Sequence, residues 1–68
     1  MILRDLLTLG QQKLKQADID TAGLDARLLA AAAMDINSAQ VTLKAFDHVS
    51  KQQQDHFESM IEQRRSFK

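Results

Sequence analysis

The sequence predicts an all-α chain: 68 residues in one small bundle of four or five short helices. Three observations predict it. Apolar residues recur at helical spacing in separate stretches along the chain. Proline is absent, and the two glycines fall within or beside those stretches. The one run that alternates like a strand, from Ala39 to Ala45, would have no partner strand for its backbone groups.

The first helix follows from Leu3, Leu7, Gly10, Leu14 and Ala17, which fall on one helical face, with Ile2 and Leu6 widening the stripe. Gly10 sits on that stripe. Glycine costs a helix about 1 kcal/mol against alanine, so its presence there predicts the close approach of a neighbouring helix. The stretch ADIDTAG ends this helix. Asp20 or Thr21 can cap the second one, because their side-chain oxygens accept from unpaired backbone N–H groups. That second helix is LDARLLAAAAM. Leu24, Leu28, Ala31 and Ala32 are expected on its buried face, with Leu29 and Ala33 beside it. Four consecutive alanines allow close packing on most sides, which places this helix at the centre of the bundle.

The stretch NSAQVTLKAF is read as a short helix, because Asn37 and Gln40 have the spacing of a capping box. Ser50 and Gln53 repeat that spacing before the last helix. There Phe57, Met60, Ile61 and the stem of Arg64 are expected to face inward, with Gln52, Gln53 and Gln54 solvated in the first turn. Arg64 and Arg65 fall at the C-terminal end, where cations complement the helix dipole.

Composition narrows function. Nine basic and nine acidic side chains give zero formal charge, so the electrostatic footprint of non-specific nucleic-acid binding is missing. A recognition helix for DNA would place Asp55, Glu58 and Glu62 of the last helix against phosphates. No apolar run is long enough to span a membrane, and the start lacks a basic leader and a cleavage site, so a cytoplasmic protein is expected. There is no cysteine, hence no disulfide and no thiolate metal site.

Catalytic chemistry is equally thin. His48 and His56 each follow an aspartate, but their spacing matches no tight helical chelate, and exposed histidines are the better reading. Glu58 and Glu62 share a helix face with Arg65 near, which suits a solvated face better than a pair of catalytic acids. No glycine-rich phosphate loop and no nucleophile elbow occurs. From its residues alone the chain reads as a helical interaction module.

Two stretches sharpen that reading. Leu24 to Leu29 has the pattern Leu-Asp-Ala-x-x-Leu, and Phe57 to Arg65 forms a later helix closing on Arg-Arg. In this order and separation the chain resembles the N-terminal domain of the HemK-type release-factor glutamine methyltransferases. The likeness spans essentially all of residues 1–68, with Asn37 to Ser50 matching in length and apolar rhythm only. It departs from the pattern at Ser66-Phe67-Lys68, where a small residue and glycine are often found.

The resemblance implies that residues 1–68 are a single helical recognition domain at the front of a longer enzyme. The family transfers a methyl group from S-adenosylmethionine to the side-chain nitrogen of the glutamine in the Gly-Gly-Gln loop of class-1 peptide-chain release factors. Its Asn-Pro-Pro-Tyr motif is absent here, so no catalytic, cofactor-binding or metal-binding residue carries over. The implied partners are the release factor and the enzyme's own catalytic domain, with no nucleic acid and no membrane. Arg64, Arg65 and Phe67 are the expected contact residues, and Lys68 is expected to be a cut edge rather than a natural terminus. The alternative is a free-standing helical interaction or dimerisation module.

Overall fold

The computed structural model describes residues 1–66. Four helices follow one another: α1 (Leu3–Gln16), α2 (Ala22–Met34), α3 (Ser38–Leu43) and α4 (Lys51–Ser66). Helix α2 packs against each of the other three, and α1 also packs against α4. The alanine-rich helix is therefore the centre of the bundle, as expected.

The first turn of α1 is closed by the chain rather than by a side chain. Ile2, its N-cap, is extended and makes no side-chain cap. The orphan N–H groups of Leu3 and Arg4 donate instead to the carbonyls of Asp47 and Ala45, at 2.9 and 2.8 Å. Val49 N–H donates to Met1 O, and Ile2 and His48 form an isolated antiparallel bridge. The segment entering α1 is thus stitched to the loop between α3 and α4.

Helices α1 and α2 end in the same way. Asp18 and Asp35 both adopt the left-handed conformation, with φ of 60° and 57°. In each case the next residue is an isoleucine whose N–H reaches back across the turn, Ile19 to Leu14 O and Ile36 to Ala31 O. This is the Schellman arrangement, which satisfies the last free carbonyls and turns an apolar residue back onto the helix. Ile19 is buried, and Ile36 packs against the core.

Helices α3 and α4 open on capping boxes. Gln40 N–H donates to Asn37 Oδ1 at 3.0 Å, and Asn37 N–H donates to Gln40 Oε1 at 3.1 Å. Gln53 and Ser50 repeat the exchange at 3.1 and 3.0 Å. The stretch from Ser38 is a helix, and Leu43 is its last residue.

The core is built from Leu3, Leu6 and Leu14 of α1, Phe57 and Ile61 of α4, and Val41 of α3, all essentially inaccessible. Leu7 is only partly buried at the rim, and Leu6 takes the central place. The expected buried face of α2 fails except at Ala31. Leu24 and Leu28 of α2 are 58% and 49% exposed, and Ala32 is also exposed. The buried face is Ala22, Ala26, Ala30 and Ala31. The reason is steric. A central helix with neighbours on several sides lets them approach only where its side chains are small, whereas leucines would hold them apart.

Gly10 shows the same rule from α1. A Cβ built there would lie 2.5 Å from Phe57 Cζ and 3.1 Å from Ile61 Cδ1. The missing side chain is the seat of the Phe57 ring.

Candidate functional site: a bundle with polar ends and exposed apolar faces

The C-terminal arginines are held by carboxylates of their own domain. Arg64 Nε donates to Asp25 Oδ2 at 3.0 Å, joining α4 to the first turn of α2. Thr21 Oγ1 donates to the same oxygen at 3.0 Å. Thr21 is the N-cap of α2, but its hydroxyl holds Asp25 and does not cap a backbone N–H. Arg65 Nη1 donates to both carboxylate oxygens of Glu62, at 2.9 and 3.1 Å. Lys13 of α1 approaches Glu62 at 3.9 Å. Arg65 Nε is buried without a hydrogen-bond partner among the described residues. Phe67, the third expected contact residue, lies outside them.

The remaining polar groups do not converge. His48 is exposed at the mouth of the loop before α4. His56 lines an open concavity of about 310 Å³ with Ala33, Gln52 and Gln53. Gln53 there is already engaged in its capping box. Among the described residues, no three His, Cys, Asp or Glu side chains gather in a way that could hold a metal ion. No polar or charged side chain is buried among them either. Acid–base and nucleophilic groups are commonly tuned by desolvation, and the described residues show no buried carboxylate, imidazole or hydroxyl side chain. No described helix is long and apolar enough to cross a membrane.

The surface also carries large apolar side chains, among them Met1 and Leu9. Leu24 and Leu28 form one exposed stripe on α2. At the other end of the bundle, Leu43 is 84% and Phe46 69% exposed. The guanidinium of Arg4 lies 5.1 Å from the centre of the Phe46 ring.

The sequence model of the PrmC N-terminal domain matches residues 5–68. The chain belongs to that family. Comparison with curated proteins and with solved structures gave no match. The PrmC N-terminal domain is part of a methyltransferase, which agrees with the resemblance carried by Leu24 to Leu29 and Phe57 to Arg65. The all-α fold agrees as well.

Among its described residues, this PrmC N-terminal domain has no glycine-rich turn to cradle S-adenosylmethionine. A nucleotide-like cofactor needs backbone that approaches it closely, commonly at a glycine-rich turn between strand and helix. Both glycines here lie inside helices, Gly10 against Phe57 and Gly23 beside Gln11. The residues do not fit the cofactor, and no chemical step runs through them.

Proposed function

We propose that this PrmC N-terminal domain recognises the protein substrate of its parent methyltransferase, a class-1 peptide-chain release factor. In this reading the parent is a cytoplasmic enzyme, and a catalytic domain following the bundle carries out S-adenosylmethionine-dependent methylation of the Gly-Gly-Gln glutamine. The observation that carries the reading is a PrmC-family fold whose described polar side chains are all at least partly solvated and several of whose large apolar side chains face out. Such a fold has exposed apolar surface with which to bind a partner.

The scale is adequate. A standard interface takes about 800 Å² from each partner, roughly a fifth of the 4435 Å² that this domain exposes. Binding away from the reacting centre holds the amide in position, which matters because an amide nitrogen is a poor nucleophile. Arg64, Arg65 and Phe67 are assigned to contact with the adjoining catalytic domain.

The test is deletion of the bundle from the full-length enzyme. KM for intact release factor should rise by about 10-fold or more, the size expected when one substantial interface is lost. Turnover of a short peptide carrying the Gly-Gly-Gln loop should change far less. Unchanged kinetics on the intact factor would sink the recognition role.

A further inference from the structure

Helix α4 is fixed to the bundle in two ways along its length. Phe57 and Ile61 anchor it in the core, each 1% exposed. After Ile61 no described residue of the helix is buried. The last turn, from Glu62 to Ser66, is tied to the other helices by charge. Arg64 Nε donates to Asp25 Oδ2 of α2 at 3.0 Å. Glu62 lies 3.9 Å from Lys13 Nζ of α1. One end of one helix thus has ionic ties to both of the helices beside it.

The two ties have the same form. In each, a carboxylate is oriented by a neighbour on its own helix and met by a cation from another. Thr21 Oγ1, at the start of α2, donates to the Asp25 oxygen that receives Arg64. Arg65 Nη1 donates to both oxygens of Glu62, which Lys13 approaches. The strength of such ties is limited by solvent. The Arg64 and Asp25 side chains are 38% and 17% exposed, and those of Lys13 and Glu62 40% and 56%. A pair this accessible changes an opening equilibrium by about 2- to 5-fold, whereas burying a side chain such as Phe57 or Ile61 is worth about 10-fold or more. Local stability follows buried apolar contact, so the last turn and the core beneath it are held with different firmness.

We propose that the last turn of α4 is an ionic clasp. It opens and closes on α1 and α2 while Phe57 and Ile61 keep the rest of the helix in the core. Asp25 is the positioning residue of the clasp, because it fixes Arg64 across 39 residues of sequence. Salt loosens the Lys13–Glu62 tie first, since that pair is the longer and the more exposed of the two. In the recognition reading above, the catalytic domain adjoins this end of the bundle. Opening there loosens the joint between recognition and chemistry without unfolding the bundle. The clasp itself does not rest on that reading, which the deletion kinetics test separately.

The test is amide hydrogen exchange on the full-length enzyme, read by mass spectrometry in overlapping fragments. Residues 62–66 are compared with the fragments that carry Phe57 and Leu14. The variants are Asp25→Asn and Glu62→Gln, singly and together. Asp20→Asn is the control, because Asp20 is exposed and makes no ion pair among the described residues. Exchange of the last turn should speed up by about 2- to 5-fold in each single variant and by more in the double. Wild type in about 1 M salt, where the Debye length is about 3 Å, should move in the same direction. The control should match wild type. Exchanging the two charges, Asp25→Arg with Arg64→Asp, should return the turn toward wild-type protection. Ordinary fraying of a helix end ignores Asp25, because the hydrogen bonds that fray lie within α4 itself. Exchange indifferent to both substitutions and to salt therefore overturns the clasp. Exchange of residues 62–66 in step with the Phe57 fragment under every condition overturns it too, because the turn then opens only when the core does.

Discussion

Gly10 is a position where one missing methyl organises two helices. Alanine would improve the intrinsic stability of α1 by about 1 kcal/mol. Its Cβ would meet the Phe57 ring at 2.5 to 2.7 Å, and that ring is 1% exposed with nowhere to swing. Overpacking of this kind costs about 1–3 kcal/mol, so Gly10→Ala should lower the melting temperature by several degrees. The same change in a Phe57→Leu background should cost much less, and a double-mutant cycle in urea reads the difference. Asp35 works in the opposite sense. It holds a left-handed φ of 57° at the negative end of the α2 dipole, which strains the backbone and sets like against like. Asp35→Gly should therefore stabilise the domain by about 0.5–1 kcal/mol, seen as a rise of a few degrees on thermal melting. Asp35→Asn isolates the charge contribution, because asparagine tolerates the same backbone conformation at less electrostatic cost.

At the scale of the element, the starts of α3 and α4 were the most legible feature. Asn37 with Gln40, and Ser50 with Gln53, advertise their boxes in the sequence, and both form. Asn37→Ala should cost about 1 kcal/mol in chemical denaturation, because α3 is six residues long and depends on its ends. The helix ends were legible only in retrospect. The paired signals are ADID and MDIN, an aspartate followed by an isoleucine, each at a Schellman turn. Aspartate is a less common left-handed residue than glycine, so the signal is easily passed over. The face of α2 was read wrongly for a definite reason. Its helix is apolar around most of its circumference, so periodicity does not select a face, and leucine outranks alanine on bulk alone. The choice fell to packing: Ala22, Ala26 and Ala30 admit neighbours that Leu24 and Leu28 would exclude. The link from Arg64 to Asp25 likewise joins residues 39 apart and could not be read from local spacing.

At the scale of the whole molecule, the candidate site is a surface, and surfaces are written faintly in sequence. Nothing in the sequence sets Arg4 apart from the other charged residues. What distinguishes Arg4 is its place over Phe46 and the hydrogen bonds that bind α1 to the loop holding that ring. The deletion experiment belongs to this scale, because it asks whether the bundle acts as one recognition unit. By itself the sequence determined an all-α class, four helices in their order, the caps of α3 and α4, the need for close approach at Gly10 and the family. These follow from local rules: periodicity, capping chemistry and propensity act between residues a few positions apart. Only the tertiary structure decided which side of α2 is buried, what closes the first turn of α1, and which apolar side chains are left outside. Those outcomes depend on volumes and hydrogen-bond partners brought together from distant parts of the chain, where exclusion of bulk from a crowded centre outweighs the hydrophobicity of any single residue.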